Sequence, residues 1–136
     1  MTLVSRTITG RTRPARHRRG HVGLDANPFR TLFVSAITVA ELRCGLAAMP
    51  GGARRDRMRE RFETRVLPLF AARVLPFDLA SSRAYAELMA TARADGIAIG
   101  RSDGYIAATA KAAGMSVATR DSAFRATGVP VLDPWE

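Results

Sequence analysis

Several features that would indicate particular classes of protein are scarce or missing in this chain of 136 residues. Its one cysteine, Cys44, cannot form an internal disulfide, and its position in a predicted helix suggests a small buried side chain. No apolar run is long enough to span a bilayer, and the N-terminus lacks the continuous apolar stretch of a secretory signal. A Cys/His metal site is excluded. We therefore expect one globular domain in the cytoplasm, with no membrane contact.

Positive charge is present in excess and is unevenly distributed. The net charge is +9. Residues 1–24 hold six arginines and no acid, whereas residues 25–136 hold 15 basic and 12 acidic side chains. A basic arm of this kind attracts the phosphate backbone of a nucleic acid. A solvated tail has the same composition, so both interpretations stay open.

Strand and helix patterns alternate along most of the chain. The stretch LFVSAI (32–37) is typical of a buried strand, and the following TVAELRCGLAAM has helical spacing up to Gly51 and Gly52. The next segment, 53–70, is predicted to be a charged surface helix, and RVLPFD after it is extended. Two more helices follow, the first capped by Asp78 or Ser81 and the second opened by Asp103, and then two further strands. Such alternation predicts an α/β fold with a central parallel sheet covered on both faces.

Three carboxylates lie near predicted element boundaries, and each has a purely structural explanation. Glu41 closes a Thr38-x-x-Glu41 capping box, Asp103 lies in a first helical turn, and Asp121 follows a strand as a turn residue would. In open parallel sheets, however, ligands bind beyond the carboxyl ends of the strands, where these acids are expected to meet. Grouped Asp and Glu side chains favour a hard divalent cation, Mg²⁺ or Mn²⁺, which supports phosphodiester hydrolysis.

The order and spacing of five blocks resemble a known family. Successive blocks of the PIN-domain ribonucleases of the VapC toxin family are similar to five stretches of this chain, in the same order: FVSAITVAELRCGL, RVLPFD, IGRSDGYIAATA, VATRD and GVPVLDPW. The resemblance covers residues 24–136, which we treat as the PIN-like ribonuclease domain, and leaves residues 1–23 as an atypical Arg-rich segment. It implies a three-layer α/β/α sandwich, Mg²⁺-dependent cleavage of RNA, and neutralisation by a VapB-type antitoxin.

The same resemblance assigns residues to roles. It implies catalytic and metal-binding roles for Glu41, Asp103 and Asp121, and a site-shaping role for Thr119. It also allows a homodimer. The RNA-contacting residues stay unassigned.

The first acid of the family pattern is the weak point of the match. Family members begin with a strand that ends in an Asp-Thr-Asn-like motif. Aligning MTLVSRTI with this strand puts Ser5 in place of the Asp, whereas Asp25 in LDAN resembles the motif itself. The second alignment leaves only 16 positions before Glu41, too few for a helix and a strand, so we favour Ser5 and treat Asp25 as the alternative metal ligand.

Three functional hypotheses follow from the sequence. The first is a toxin-type ribonuclease. The second is a degenerate PIN-fold binding protein that cleaves weakly because its first acidic ligand is lost. The third is a nucleic-acid-binding protein that acts through its Arg-rich arm.

Overall fold

Residues 1–6 and 32–133 of the chain are described in a computed structural model. Five strands and four α-helices alternate in this part of the chain, with a π-helical turn and two 3₁₀ turns between them. The elements are, in order, β1 (Leu3–Ser5), β2 (Leu32–Ser35), α1 (Ala36–Ala48), α2 (Ala53–Arg61), the π turn (Phe62–Val66), a 3₁₀ turn (Leu67–Phe70), β3 (Val74–Leu75), α3 (Leu79–Ala94), α4 (Arg101–Ala112), β4 (Ser116–Ala118), a second 3₁₀ turn (Ser122–Thr127) and β5 (Val131–Leu132).

The strands form one sheet in the order β3-β2-β1-β4-β5. β2 pairs with β3 and β4 with β5 in parallel, as the β-to-α alternation predicts. β1, in the centre, is antiparallel to both of its neighbours, so the sheet is mixed and not wholly parallel. The alternation that predicts parallel strands begins at β2 and does not specify the direction of β1. The carboxyl ends of β2 to β5 therefore share one edge of the sheet, and β1 starts at that edge.

The core lies on both faces of this sheet, which confirms the three-layer α/β/α architecture. Neighbouring residues of β2 point in opposite directions, as the period of a strand requires. Phe33 packs with residues of α3, α4, β4 and the second 3₁₀ turn, whereas Val34 packs with α1, the π turn and the first 3₁₀ turn. The larger cluster comprises Val4, Phe33, Leu88, Ile106, Ala107, Ala110, Val117, Phe124 and Val129.

Local hydrogen bonds explain where the helices begin. α3 starts at Asp78, whose carboxylate accepts from the Ser81 N–H at 2.9 Å, so Asp78 is the cap that the sequence predicted alongside Ser81. α1 starts earlier than predicted, because the Ser35 side chain accepts from the Ile37 N–H at 3.1 Å. The charged helix is shorter than predicted and continues into the π turn. No helix among the described residues is long and apolar enough to cross a membrane.

Cys44 differs from its expected environment. Its side chain is exposed on α1, so the expectation of a buried cysteine is wrong. The apolar face of α1 is formed instead by Val39, Leu42 and Leu46, which pack on the smaller core cluster. A cysteine five residues after Val39 falls outside that face at helical spacing.

Candidate active site at the carboxyl edge of the sheet

The topology brings the three predicted acids to one edge of the sheet. α1 follows β2 directly, so Glu41 lies just past the carboxyl end of that strand. Asp121 comes three residues after the end of β4. α4 runs back to the start of β4, which places its first turn, with Asp103, beyond the carboxyl end of β4. An arrangement of this kind is typical of ligand sites in α/β sheets.

The charges of these acids act on one another. Burial, and then repulsion by the negative charges of Asp121 and Glu41, raise the pKa of the Asp103 carboxyl above its usual value. Asp103 is half-buried, while Glu41 and Asp121 are exposed. Within residues 1–6 and 32–133, no three His, Cys, Asp or Glu side chains are close enough together to enclose a metal ion. The three carboxylates therefore interact through space without forming a closed ligand cage.

This donor set has the chemistry that a hard divalent cation requires. All three groups are carboxylates, which Mg²⁺ and Mn²⁺ prefer over nitrogen or sulfur ligands. Their mutual repulsion at Asp103 is unfavourable, and a bound cation would remove it. Glu41, Asp103 and Asp121 thus fit a divalent cation by charge and by atom type.

Asp121 also has the structural role that its sequence position suggested. Its side chain accepts from the Ala123 N–H at 2.9 Å and caps the second 3₁₀ turn. Its own N–H donates to the Thr119 hydroxyl at 3.0 Å. Thr119 is almost fully buried, so this bond holds the Asp121 backbone in place at the strand end. The turn interpretation of Asp121 is therefore confirmed.

Of the other two acids, Glu41 does not complete a capping box, whereas Asp103 lies in the first turn of its helix as expected. Ser35, not Thr38, is the N-cap of α1, so Thr38 and Glu41 do not form a capping box and Glu41 lies in the second helical turn. α4 begins at Gly100 without a side-chain cap, and Asp103 lies three residues further on. A Cβ at position 100 would lie 3.6 Å from Asp103 Oδ2, so the missing side chain keeps this side of the carboxylate open.

Threonines from three separate parts of the chain meet beside the acids, and the sequence suggested a role in the site for only one of them, Thr119. The Thr2 and Thr119 hydroxyl oxygens are 3.4 Å apart, and the Thr38 hydroxyl donates to the Thr2 carbonyl oxygen at 3.5 Å. Thr2 precedes β1, Thr38 lies in α1 and Thr119 follows β4. Their meeting depends on the antiparallel direction of β1, which no local sequence signal indicates.

The same direction moves Ser5 away from the site. Ser5 is paired with Leu32 and with Ser116, the first residues of β2 and β4, and is buried at the opposite edge of the sheet. The expectation that Ser5 stands in the place of a first acid is therefore wrong, and Thr2 is the residue of this segment that lies at the carboxyl edge. Asp25, the alternative, lies outside the described residues.

Close packing of α3 on α4 fixes the helix turn that carries Asp103. A Cβ at Gly104 would lie 3.0 Å from Met89 Sδ and 3.1 Å from Tyr85 Cε2, so only glycine allows this approach without displacement. The Tyr85 and Tyr105 rings stack with centroids 4.5 Å apart, and Phe77 meets Tyr105 edge-on at 5.1 Å. Sequence reasoning missed this aromatic cluster, whose members are separated by 8 and 20 positions.

Comparison with known proteins identifies a family for this chain. The family model of the PIN domain matches residues 10–130. A VapC ribonuclease, Y4jK of Sinorhizobium fredii, is 60% identical over 114 residues, which cover 83% of this chain and 81% of the relative. Toxin FitB of Neisseria gonorrhoeae is 42% identical over 134 residues, 98% of this chain and 96% of that protein.

A solved structure shows the same fold. The crystal structure of FitAcB from Neisseria gonorrhoeae superimposes with a TM-score of 0.71 at 48% identity, over 76% of each chain. Together with the family match over most of the sequence, this likeness confirms the resemblance inferred from the five blocks. The chain belongs to the PIN-domain family and, within it, to the VapC-type toxin ribonucleases.

Proposed function

We propose that this protein is the toxin of a type II toxin-antitoxin system and acts as a Mg²⁺-dependent endoribonuclease in the cytoplasm. The observation that carries the proposal is the convergence of Glu41, Asp103 and Asp121 at the carboxyl edge of the sheet, where burial and then the other two charges raise the pKa of Asp103. The names of two relatives, a VapC ribonuclease and a toxin, support the activity and the biological role.

In this proposal each acid has a distinct role. Asp103 and Asp121 would hold Mg²⁺ or Mn²⁺, and Glu41, on the exposed face of α1, would complete the ligand set or orient the attacking water. Such a cation, when bound, makes water a better nucleophile and stabilises negative charge on a phosphodiester. The Thr119 hydroxyl keeps Asp121 at the strand end, and Gly100 leaves room beside the Asp103 carboxylate.

The proposed partner is a VapB-type antitoxin. The solved structures of FitAcB and FitAB each contain a chain that is 48% identical to this protein. They support the proposal that this protein functions in complex with a second protein. The FitAB structure was determined bound to a DNA fragment, which belongs to that complex. For the present chain we propose RNA as the substrate and the antitoxin as the inhibitor.

One observation favours a second candidate, a PIN-fold binding protein with little catalytic activity. The strand at the centre of the sheet contributes Thr2 to the carboxyl edge, not an acid. If the reaction needs a fourth carboxylate between β2 and β4, this chain would bind its partners and cleave poorly.

Cleavage assays on matched variants test the two candidates. We expect the parent protein to cleave RNA only when Mg²⁺ or Mn²⁺ is added, and Asp103→Asn to lose at least about 10 to 100-fold of that activity. Asp95→Asn, an exposed acid at the end of α3, is the control and should cleave like the parent. Because both variants are purified identically, a contaminating nuclease would appear in both.

Two results would reject the ribonuclease. Equal cleavage by Asp103→Asn and the parent would show that Asp103 has no part in the reaction. No cleavage by the parent at any concentration of either cation, with the fold intact by circular dichroism, would favour the second candidate.

A further inference from the structure

The segment from α2 through the π turn is the most basic part of the described chain. Residues 53–66 hold six arginines and three acids. Two of these arginines differ from the rest: Arg55 is half-buried with its Nε 3.6 Å from Asp56, and Arg59 adds to the positive field at Glu63. Four exposed arginines remain, and we refer to them as the arginine stripe: Arg54, Arg57, Arg61 and Arg65.

Helical spacing puts the stripe on one face. Arg54, Arg57 and Arg61 are three and four residues apart, so they lie in a row along α2, and Arg65 extends the row into the π turn. All four line one shallow groove together with Met58, Glu60 and Thr64. Successive guanidinium groups are thus about one helical turn, roughly 5 Å, apart along the axis.

The opposite face of the same segment anchors it to the domain. Phe62 is buried in the smaller core cluster, and Glu63 accepts two hydrogen bonds from Arg43 of α1, at 2.8 and 2.9 Å. α1 is also the helix that carries Glu41. The stripe therefore projects from a fixed helix that packs directly on one of the site-bearing elements.

Within the part of the chain that the structure describes, no ion pair joins an arginine of the stripe to an acid, and Glu60 is the one acid that lines the same groove. The ion pairs there join Arg43 to Glu63, Arg55 to Asp56, Lys111 to Glu87 and Arg120 to Asp133, none of which involves the stripe. With Glu60 in the groove an excess of three positive charges remains, and their mutual repulsion is unfavourable for folding unless an anion offsets it. Arginine suits this role because its planar group can bind phosphate through two hydrogen bonds.

The chemistry of the groove favours a nucleic-acid backbone over an acidic protein. Protein interfaces owe most of their affinity to a buried apolar or aromatic centre. Met58, 42% exposed, is the one apolar side chain that lines this groove. Phosphate contacts, by contrast, need only positive charge at a regular spacing.

We propose that the arginine stripe binds the phosphate backbone of the RNA substrate and holds the strand along the outer face of α2 and the π turn. This inference rests on the proposed function in naming RNA as the ligand. It differs from the third sequence hypothesis, which assigned nucleic-acid binding to residues 1–24. The stripe contributes binding energy and no chemistry, so its removal weakens RNA binding whether or not cleavage occurs.

The test measures RNA binding under conditions that prevent cleavage. A fluorescein-labelled, unstructured RNA oligonucleotide is titrated with protein in EDTA over a series of KCl concentrations, and anisotropy gives the affinity. The test variant is the triple Arg54→Gln, Arg57→Gln, Arg61→Gln. The control is Arg83→Gln, Arg93→Gln, Arg125→Gln, which removes the same charge from exposed positions on α3 and the second 3₁₀ turn. Glutamine has nearly the helix propensity of arginine, and both variants keep residues 1–24.

We expect the test variant to bind more weakly and to reduce the slope of log affinity against log salt by about 2, since each phosphate contact on a single strand contributes about 0.7. The control should reduce the slope by less than half as much. Equal reductions in both variants, or none in the test variant, would overturn the proposal. Displacement of the RNA by polyglutamate of equal charge concentration would overturn it in favour of an acidic protein ligand.

The result is separable from the ribonuclease assay. Stripe-dependent binding by a protein that never cleaves would reject the proposed activity and keep the binding surface. Cleavage by a protein whose RNA affinity is unaffected by the triple substitution would keep the proposed activity and reject the binding surface.

Discussion

At the scale of the residue, Asp103 combines a favourable position with an unfavourable environment. It lies in the first turn of α4, where the helix dipole stabilises negative charge. Burial and the charges of Asp121 and Glu41 nevertheless raise its pKa. The unfavourable effects exceed the favourable one, which is typical of side chains kept in place for function and not for stability.

The raised pKa has a defined consequence for stability. A carboxyl whose pKa is higher in the folded than in the unfolded protein opposes folding once it is ionised. Its full contribution to stability is present below the ordinary pKa of 3.8 and is lost as the pH rises through the folded value. In EDTA at neutral pH we therefore expect Asp103→Asn to raise the Tm by a few degrees.

This gain should disappear when the Tm is measured at a pH below 3.8, where the parent carboxyl is protonated as well. A scan of Tm against pH on parent and variant provides the measurement. An Asp103→Asn protein that is less stable than the parent at neutral pH in EDTA would show that Asp103 stabilises the fold and is not under repulsion.

At the scale of the element, the helices were more predictable than the sheet. The spacing of apolar residues and the cap at Asp78 were sufficient to locate α3 to within a residue or two, because both signals are local. The capping box at Thr38 misled, since Ser35 was available to cap α1 one turn earlier. The direction of β1 depends on pairing with β2 and β4, residues far away in the sequence, so it could not be predicted from LVS alone.

The same contrast applies to the candidate site. The placement of Asp103 and Asp121 at the carboxyl edge could be predicted, because a helix start and a strand end each leave a local sequence signal. The placement of Glu41 followed from the step from β2 to α1, not from its capping box. The position of Thr2 beside Thr119 and the packing of Tyr85 on Gly104 could not be predicted, because both depend on contacts between segments far apart in the sequence. The assignment of Ser5 failed for the same reason, as it assumed the direction of β1.

The cap of α3 gives a prediction at this scale. Asp78 accepts hydrogen bonds from the Ser81 N–H and hydroxyl, which lower its pKa. The ionised carboxylate therefore stabilises the fold above the ordinary pKa of 3.8, and this contribution is lost as the pH falls through the lower, folded value. Asp78→Ala should reduce the Tm by a few degrees at neutral pH and by less in acid.

Asp78→Asn is the matched variant, because asparagine caps helices about as well as aspartate. Thermal unfolding followed by circular dichroism should show it close to the parent. If Asp78→Ala and Asp78→Asn were equally destabilised at neutral pH, the charge and not the capping bond would be the stabilising feature.

At the scale of the whole molecule, the three candidate-site acids and the arginine stripe occupy different regions of the described chain. Three acids lie at the carboxyl edge of the sheet, within a protein of net charge +9. The arginine stripe lies on α2 and the π turn, outside that edge. Such a separation suits the proposed RNA substrate, which the positive surface would attract and hold while the acids would bind the proposed cation.

The central claim is that the three carboxylates form a single cation site, and a double-mutant cycle of Mn²⁺ binding, followed by electron paramagnetic resonance, tests it most directly. We expect Asp103→Asn and Asp121→Asn each to weaken binding by at least about 10-fold. Because each variant disables the same site, the double variant should lose much less than the product of the two single losses. If the parent binds Mn²⁺ no more tightly than the double variant, or if the two losses simply multiply, Asp103 and Asp121 do not share one cation site and the central claim is contradicted.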